Sequence, residues 1–175
     1  NYWGEMPIAT SITCRVIPEG SARTIALEAG EIDVVWSVDP TDCANVESNP
    51  DVKLLSQPST GIDYVGMNTQ KEKFSDKRVR QAINYALDKQ AFVDTIIEGR
   101  GLVANSYINA AIPGWTDEVE AYPYDPEKAK ELLAEAGYPN GFECSLYVNG
   151  DVRTRSAQIV QAQLAEVGIT VDIST

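Results

Sequence analysis

The chain contains no histidine. That absence removes Ser–His and Cys–His nucleophile activation from these residues, and with it the commonest metal ligand. Cysteine is scarce: Cys14, Cys43 and Cys144 lie far apart, and none belongs to a C-x-x-C pair. An odd, dispersed set closes no disulfide framework, so the three read as small buried residues or free thiols. No apolar run approaches the roughly 18 residues that a membrane-spanning helix needs. Bases are outnumbered, with 14 Lys plus Arg against 26 Asp plus Glu and a net charge of -12. The acidity is spread along the chain, so neither half offers the basic face that phosphate contacts require, and a nucleic-acid role is disfavoured. The one basic cluster, Lys71, Lys73, Lys77, Arg78 and Arg80, reads as a solvated helix start. The chain has no G-x-S-x-G, S-x-x-K or P-loop pattern.

What remains is an ordinary globular composition, 43% hydrophobic and 23% charged over 175 residues, enough for one good core or two small ones. Ile8 to Ile17 has strand character, closed by Pro18 and Gly20. Ser21 to Ala29 reads as a short helix with Gly30 at its C′ position. Ile32 to Trp36 is a nearly continuous apolar run, which predicts a strand buried on both faces. Pro40 to Val46 suits a short helix, and Val52 to Leu55 a further strand. Residues 8–68 thus read β, α, β, α, β, β when the segment from Ile62 to Met67 is included.

The stretch from Gly61 to Lys89 is the best marked. It opens as a strand, with Ile62, Tyr64 and Gly66 on one face and Asp63, Val65 and Met67 on the other. A polar turn leads into a helix whose expected N-cap is Ser75, with Phe74 and Val79 as a hydrophobic staple. Val79, Ala82, Ile83, Ala86 and Leu87 repeat at helical spacing. Asp88 is placed to cap a second helix that ends at Gly99. Asp125-Pro126-Glu127 is a helix start with an acid at the cap and proline at N1. Phe142 to Val148 predicts a strand, Arg153 to Val167 a helix closed by Gly168, and Ile169 to Ile173 a final strand. Residues 69–175 read α, α, α, β, α, β.

Three sets of residues suggest chemistry. Gly99 to Ala104 matches G-x-G-x-x-A, but a dinucleotide site needs a strand before it and a helix after it, whereas here a helix precedes it, so it reads as a helix-ending loop. Asp117, Glu118 and Glu120 fit no EF-hand spacing and read as a solvated acidic turn. No metal or cofactor is expected. Trp36 and Ser37 stand at the carboxyl end of an expected strand, where open α/β sheets bind ligands. Tyr64 lies near the end of another. Each of these aromatics reads equally well as core.

The run MNTQKEKFSDKRVRQAINYALDKQAFVDTIIEGRG at 67–101, followed by YPYDPEKAKELLAEAGYPNGF at 122–142, resembles the peptide/nickel class (family 5) of extracellular substrate-binding proteins of ABC transporters. NYWGEMP at 1–7 and SARTIALEAGEIDVV at 21–35 resemble the same family in the right order. The resemblance implies an α/β chain that is a central fragment of a two-lobed, class II periplasmic-binding-protein-like fold. Residues 1–68 would be the second segment of the first lobe, 69–71 the hinge, and 72–175 the start of the second lobe. It implies a ligand-capturing component of an importer for di- or oligopeptides, working as a monomer with ABC permease subunits, and no enzyme. It implies an extracytoplasmic location, in the periplasm or lipid-anchored at the outer face of the membrane, with the leader outside this fragment. It also implies ligand contacts from Trp36, Ser37, Tyr64, Gly66 and Asn68. Two alternatives stand beside this: an enzyme whose catalytic half lies elsewhere, and a sensor using the same fold.

Overall fold

The computed structural model describes residues 3–175, so Asn1 and Tyr2, which open the NYWGEMP block and the 1–68 segment, lie outside the described residues. Two compact units divide the chain, one ending at Leu54 and the other running from Leu55 to Thr175.

In the first unit, helix α1 (Gly20–Glu28) and helix α2 (Cys43–Ser48) are the regular elements, with a 3-10 turn at Pro40–Asp42 leading into α2. Gly30 is at the C′ position expected of it, with φ 72°. Its N–H bonds to Leu27 O and that of Glu31 to Ala26 O, the paired bonds of a Schellman stop. Asp39 opens the 3-10 turn by accepting from the Thr41 N–H and hydroxyl. Asp42 then ties the two helices together, accepting from Ser21 Oγ and Thr24 Oγ1. Thr24, Ala26, Cys43 and Val46 are the buried residues of this small core.

The expected strands at 8–17, 32–36, 52–55 and 62–67 are not formed among the described residues. These segments carry no ladder, and bends fall within them at Ile8, Thr10, Asp33, Trp36 and Val52. A strand is completed by a neighbour's backbone groups, and alternation alone cannot supply one. Val34 and Trp36, expected to be buried, are 80% and 91% exposed.

The second unit is built on helices α3 (Glu72–Ser75), α4 (Lys77–Ala86), α5 (Lys89–Ile96), α6 (Pro126–Glu135) and α7 (Asp151–Glu166), with strands β1 (Glu143–Tyr147) and β2 (Thr170–Ser174). β1 and β2 pair in parallel, with Cys144 opposite Val171 and Leu146 opposite Ile173, and α7 crosses between them. Val79, Ala82, Ile83 and Ala86 of α4, Ala129 and Leu133 of α6, Leu164 of α7, Val167 and Ile169 just after it, and Val171 of β2 form one core, against which Cys144 and Leu146 of β1 and Ile173 of β2 pack. Alanines 82, 86 and 129, all but inaccessible, let α4 and α6 approach closely.

The helix ends follow local chemistry with one correction. Asp88 and Asp125 cap α5 and α6 as expected, and Gly137 and Gly168 end α6 and α7 with the same paired bonds seen at Gly30. The cap of α4 is Asp76, not Ser75. Ser75 belongs to the preceding turn and donates its hydroxyl to Glu72 O at 2.7 Å, while the Asp76 carboxylate accepts from Arg78 N at 2.8 Å. The Phe74–Val79 staple therefore loses its register, although Phe74 still packs on the core.

The basic cluster also has a more specific role than a solvated face. Arg78 bonds the Asp76 carboxylate and reaches Glu135 O at 2.7 Å, tying the start of α4 to the end of α6. Arg80 Nη1 donates to Phe74 O and Ser75 O. Lys73 donates to Glu143 O and lies 5.5 Å above the Phe142 ring.

Candidate functional site

In the first unit the interest centres on the corner at Trp36 and Ser37. Ser37 adopts φ 64°, a conformation that non-glycine residues rarely take. Its carbonyl accepts from Arg23 Nη2 at 3.1 Å. Nη1 of the same guanidinium donates to Ile17 O at 2.9 Å and Pro18 O at 2.8 Å. One side chain from α1 thus joins Ile17–Pro18 to Ser37, and Trp36, next to that junction, stands out into solvent.

The second unit holds Tyr64, Gly66 and Asn68. Tyr64 packs edge-to-face on Tyr107, with ring centroids 5.2 Å apart. A side-chain hydrogen bond with Tyr64 pushes the Tyr107 phenol above its ordinary pKa. Both rings remain mostly exposed. Gly66 leaves room beside the Tyr64 ring, since a Cβ there would sit 3.5 Å from it. Asn109 Nδ2 reaches Gly61 O at 3.4 Å, and Arg153 lies 3.7 Å from the Asp63 carboxylate. Asn68 organises the turn that follows: its Oδ1 accepts from Gln70 N, its carbonyl from Lys71 N, both at 3.0 Å. Met67, one residue before, packs against the core.

Tyr107 has no marker in the sequence; it sits in the irregular stretch after α5, and only its approach to Tyr64 singles it out. An open depression of about 300 Å³ lies nearby, lined by Met67, Lys77, Arg80, Gln81, Asn84 and Tyr122, and includes none of the five expected residues. Lys89 serves the frame instead: its ammonium donates to Asn84 O and Tyr122 O, and burial lowers its pKa. Gly99 and Gly101 follow the end of α5, and no helix opens behind them to meet a pyrophosphate. Among the described residues no three His, Cys, Asp or Glu side chains gather as a metal site would require.

Comparison with known proteins adds to this geometry. Residues 1–175 match the family model described as "Bacterial extracellular solute-binding proteins, family 5 Middle". The chain is 38% identical to the heme-binding protein A of Haemophilus influenzae, over 97% of its own length and 32% of that protein's. It is 34% identical to the dipeptide-binding protein of Escherichia coli, over 99% of its length and 34% of the relative's. Among solved structures, the periplasmic binding protein DppA from Helicobacter pylori in complex with the peptide STSA superposes with a TM-score of 0.82 at 32% identity, covering 91% of this chain and 31% of that one. The chain thus spans about a third of the length of the curated relatives it matches.

Proposed function

Because the chain belongs to the family 5 bacterial extracellular solute-binding proteins and carries the α/β fold of class II periplasmic binding proteins, we propose that it is the middle part of the ligand-capturing component of an ABC importer, with di- or oligopeptides as ligand. The carrying observation is the agreement of the whole chain with that family, including a relative solved with a bound tetrapeptide.

The residues read as ligand contacts are Trp36 and Ser37 in the first unit and, in the second, Tyr64, Gly66 and Asn68, with Tyr107 packed on Tyr64. Exposed aromatic rings with hydroxyl handles suit a peptide: they cover its apolar side chains, and ladder-free backbone beside them offers N–H and C=O groups to its amides. In this reading residues 1–68 are the first-lobe segment and 72–175 begin the second, so the lobe boundary falls inside the second compact unit, at the Asn68–Lys71 turn with the hinge at 69–71, where a few residues absorb closure. The protein works outside the cytoplasm and delivers its ligand to permease subunits, as a monomer. Heme is the second reading of the ligand, favoured by the 38% identity to a heme-binding protein.

A thermal-shift screen of the full-length protein with dipeptides, oligopeptides, glutathione, nickel complexes and hemin tests this. A peptide at 100 times its Kd adds about 2.7 kcal/mol to stability. Stabilisation by hemin alone replaces the ligand class, and stabilisation by none sinks the solute-binding reading.

A further inference from the structure

Arg23 is a costly way to fasten a loop. Its guanidinium leaves Nε buried without a hydrogen-bond partner. A buried unsatisfied N–H is a liability that a lysine at this position would not carry. A lysine, however, presents a compact point charge, whereas the planar fork reaches Ile17 O, Pro18 O and Ser37 O at once. Two of those acceptors lie at Ile17–Pro18, and the third follows Trp36 directly. The third bond is also made at the residue with positive φ. Without a fixed donor to its carbonyl, Ser37 is free to return to ordinary backbone angles, and the ring of Trp36 is then aimed elsewhere.

We propose that Arg23 is a positioning residue for ligand capture: it holds the Trp36–Ser37 corner in the conformation that the ligand meets. This rests on the reading of Trp36 and Ser37 as ligand contacts. α1 is a suitable base for such a clamp, because its Schellman stop at Gly30 and its bonds to Asp42 fix the helix at both ends.

The test is a double-mutant cycle in the full-length protein, with Arg23→Met and Ser37→Gly, read by calorimetric titration of the tetrapeptide Ser-Thr-Ser-Ala and of glutathione. Losing a bond from a charged donor, R23M weakens binding by about tenfold or more. Glycine adopts positive φ without penalty, so in the S37G background the same change costs only about threefold or less. Hydrogen exchange over residues 32–39 in the ligand-free protein rises in R23M and falls back in the double variant. R23K, which keeps the charge and folds where R23M does not, shows the same coupling at smaller size. Equal losses in both backgrounds, or faster exchange with unchanged affinity, make Arg23 a purely structural residue and overturn the proposal. A wild-type protein that binds neither probe overturns the peptide reading itself. A wild type that binds while R23M and R23K bind equally well removes only the positioning role.

Discussion

Replacing Gly141 by alanine and, separately, Gly150 by alanine distinguishes two costs that glycine can avoid. Both residues have positive φ, 72° at Gly141 and 78° at Gly150. At Gly150 an added Cβ meets nothing within 4 Å, so only the backbone conformation resists it. With ψ at 157° the residue lies in a region essentially confined to glycine, so the conformational cost to alanine is roughly 1–3 kcal/mol, partly offset by a stiffer unfolded chain. At Gly141 the Cβ falls on the carbonyl of Gly168 and 2.8 Å from its Cα, where ordinary contact begins at 3.4 Å. Gly168 cannot retreat easily. It is held by the stop of α7, and the next bond along, Thr170 N to Phe142 O at 2.9 Å, sets the entry to the parallel pair. Overpacking against backbone adds about 1–3 kcal/mol to a positive-φ cost of roughly 1–2 kcal/mol, so G141A loses about 2–5 kcal/mol in all. Urea denaturation followed by circular dichroism gives both values under one condition. A G141A variant that loses less than about 1 kcal/mol would refute the close backbone approach between the α6–β1 and α7–β2 turns.

Three further outcomes follow from the same core and its surroundings. Leu133 is 1% exposed, and L133A lowers stability by about 2–5 kcal/mol in the same denaturation; a loss under 1 kcal/mol contradicts its place between α4, α6 and the sheet. Asp76 is held below its ordinary pKa of 3.8, first by the side-chain bond from Arg78 and then by the Arg78 N–H. A depressed carboxylate stabilises above its unfolded value and loses that contribution as pH falls through the folded one, so the stability gap between wild type and D76N is full at neutral pH and shrinks below pH 3.8; a gap that widens on acidification has the wrong sign. With a thiol reagent at neutral pH, exposed Cys14 reacts first, ahead of buried Cys43 and of Cys144, whose thiol burial pushes up in pKa, and peptide mapping that puts either ahead of Cys14 contradicts the structure.

The site is divided in the same way between what the sequence shows and what it hides. Of the proposed ligand contacts, Trp36, Ser37 and Tyr64 were singled out by their place at the ends of expected strands, whereas Gly66 and Asn68 came only from the family resemblance. Neither signal marked Tyr107 or Arg23. Tyr107 meets Tyr64 from an irregular stretch after α5. Arg23 looks like any polar residue on a short helix until its donors are traced to three carbonyls. Arg78 was read as part of a solvated cluster, and its bond to a carbonyl 57 residues away shows otherwise.

The sequence by itself determined where the helices start and stop. Asp39, Asp88 and Asp125 accept from N–H groups within three residues, and Gly30, Gly137 and Gly168 close bonds to carbonyls within five. Such bonds are complete within a single turn, so a few neighbouring residues specify them. Tertiary structure alone decided which expected strands formed. Among the described residues only 143–147 and 170–174 found each other, because a ladder requires another strand's backbone and α7 brings that one to hand. It also decided that Gly141 is sterically indispensable, since the Gly168 carbonyl lies where its Cβ would be, whereas at Gly150 a Cβ would meet nothing within 4 Å.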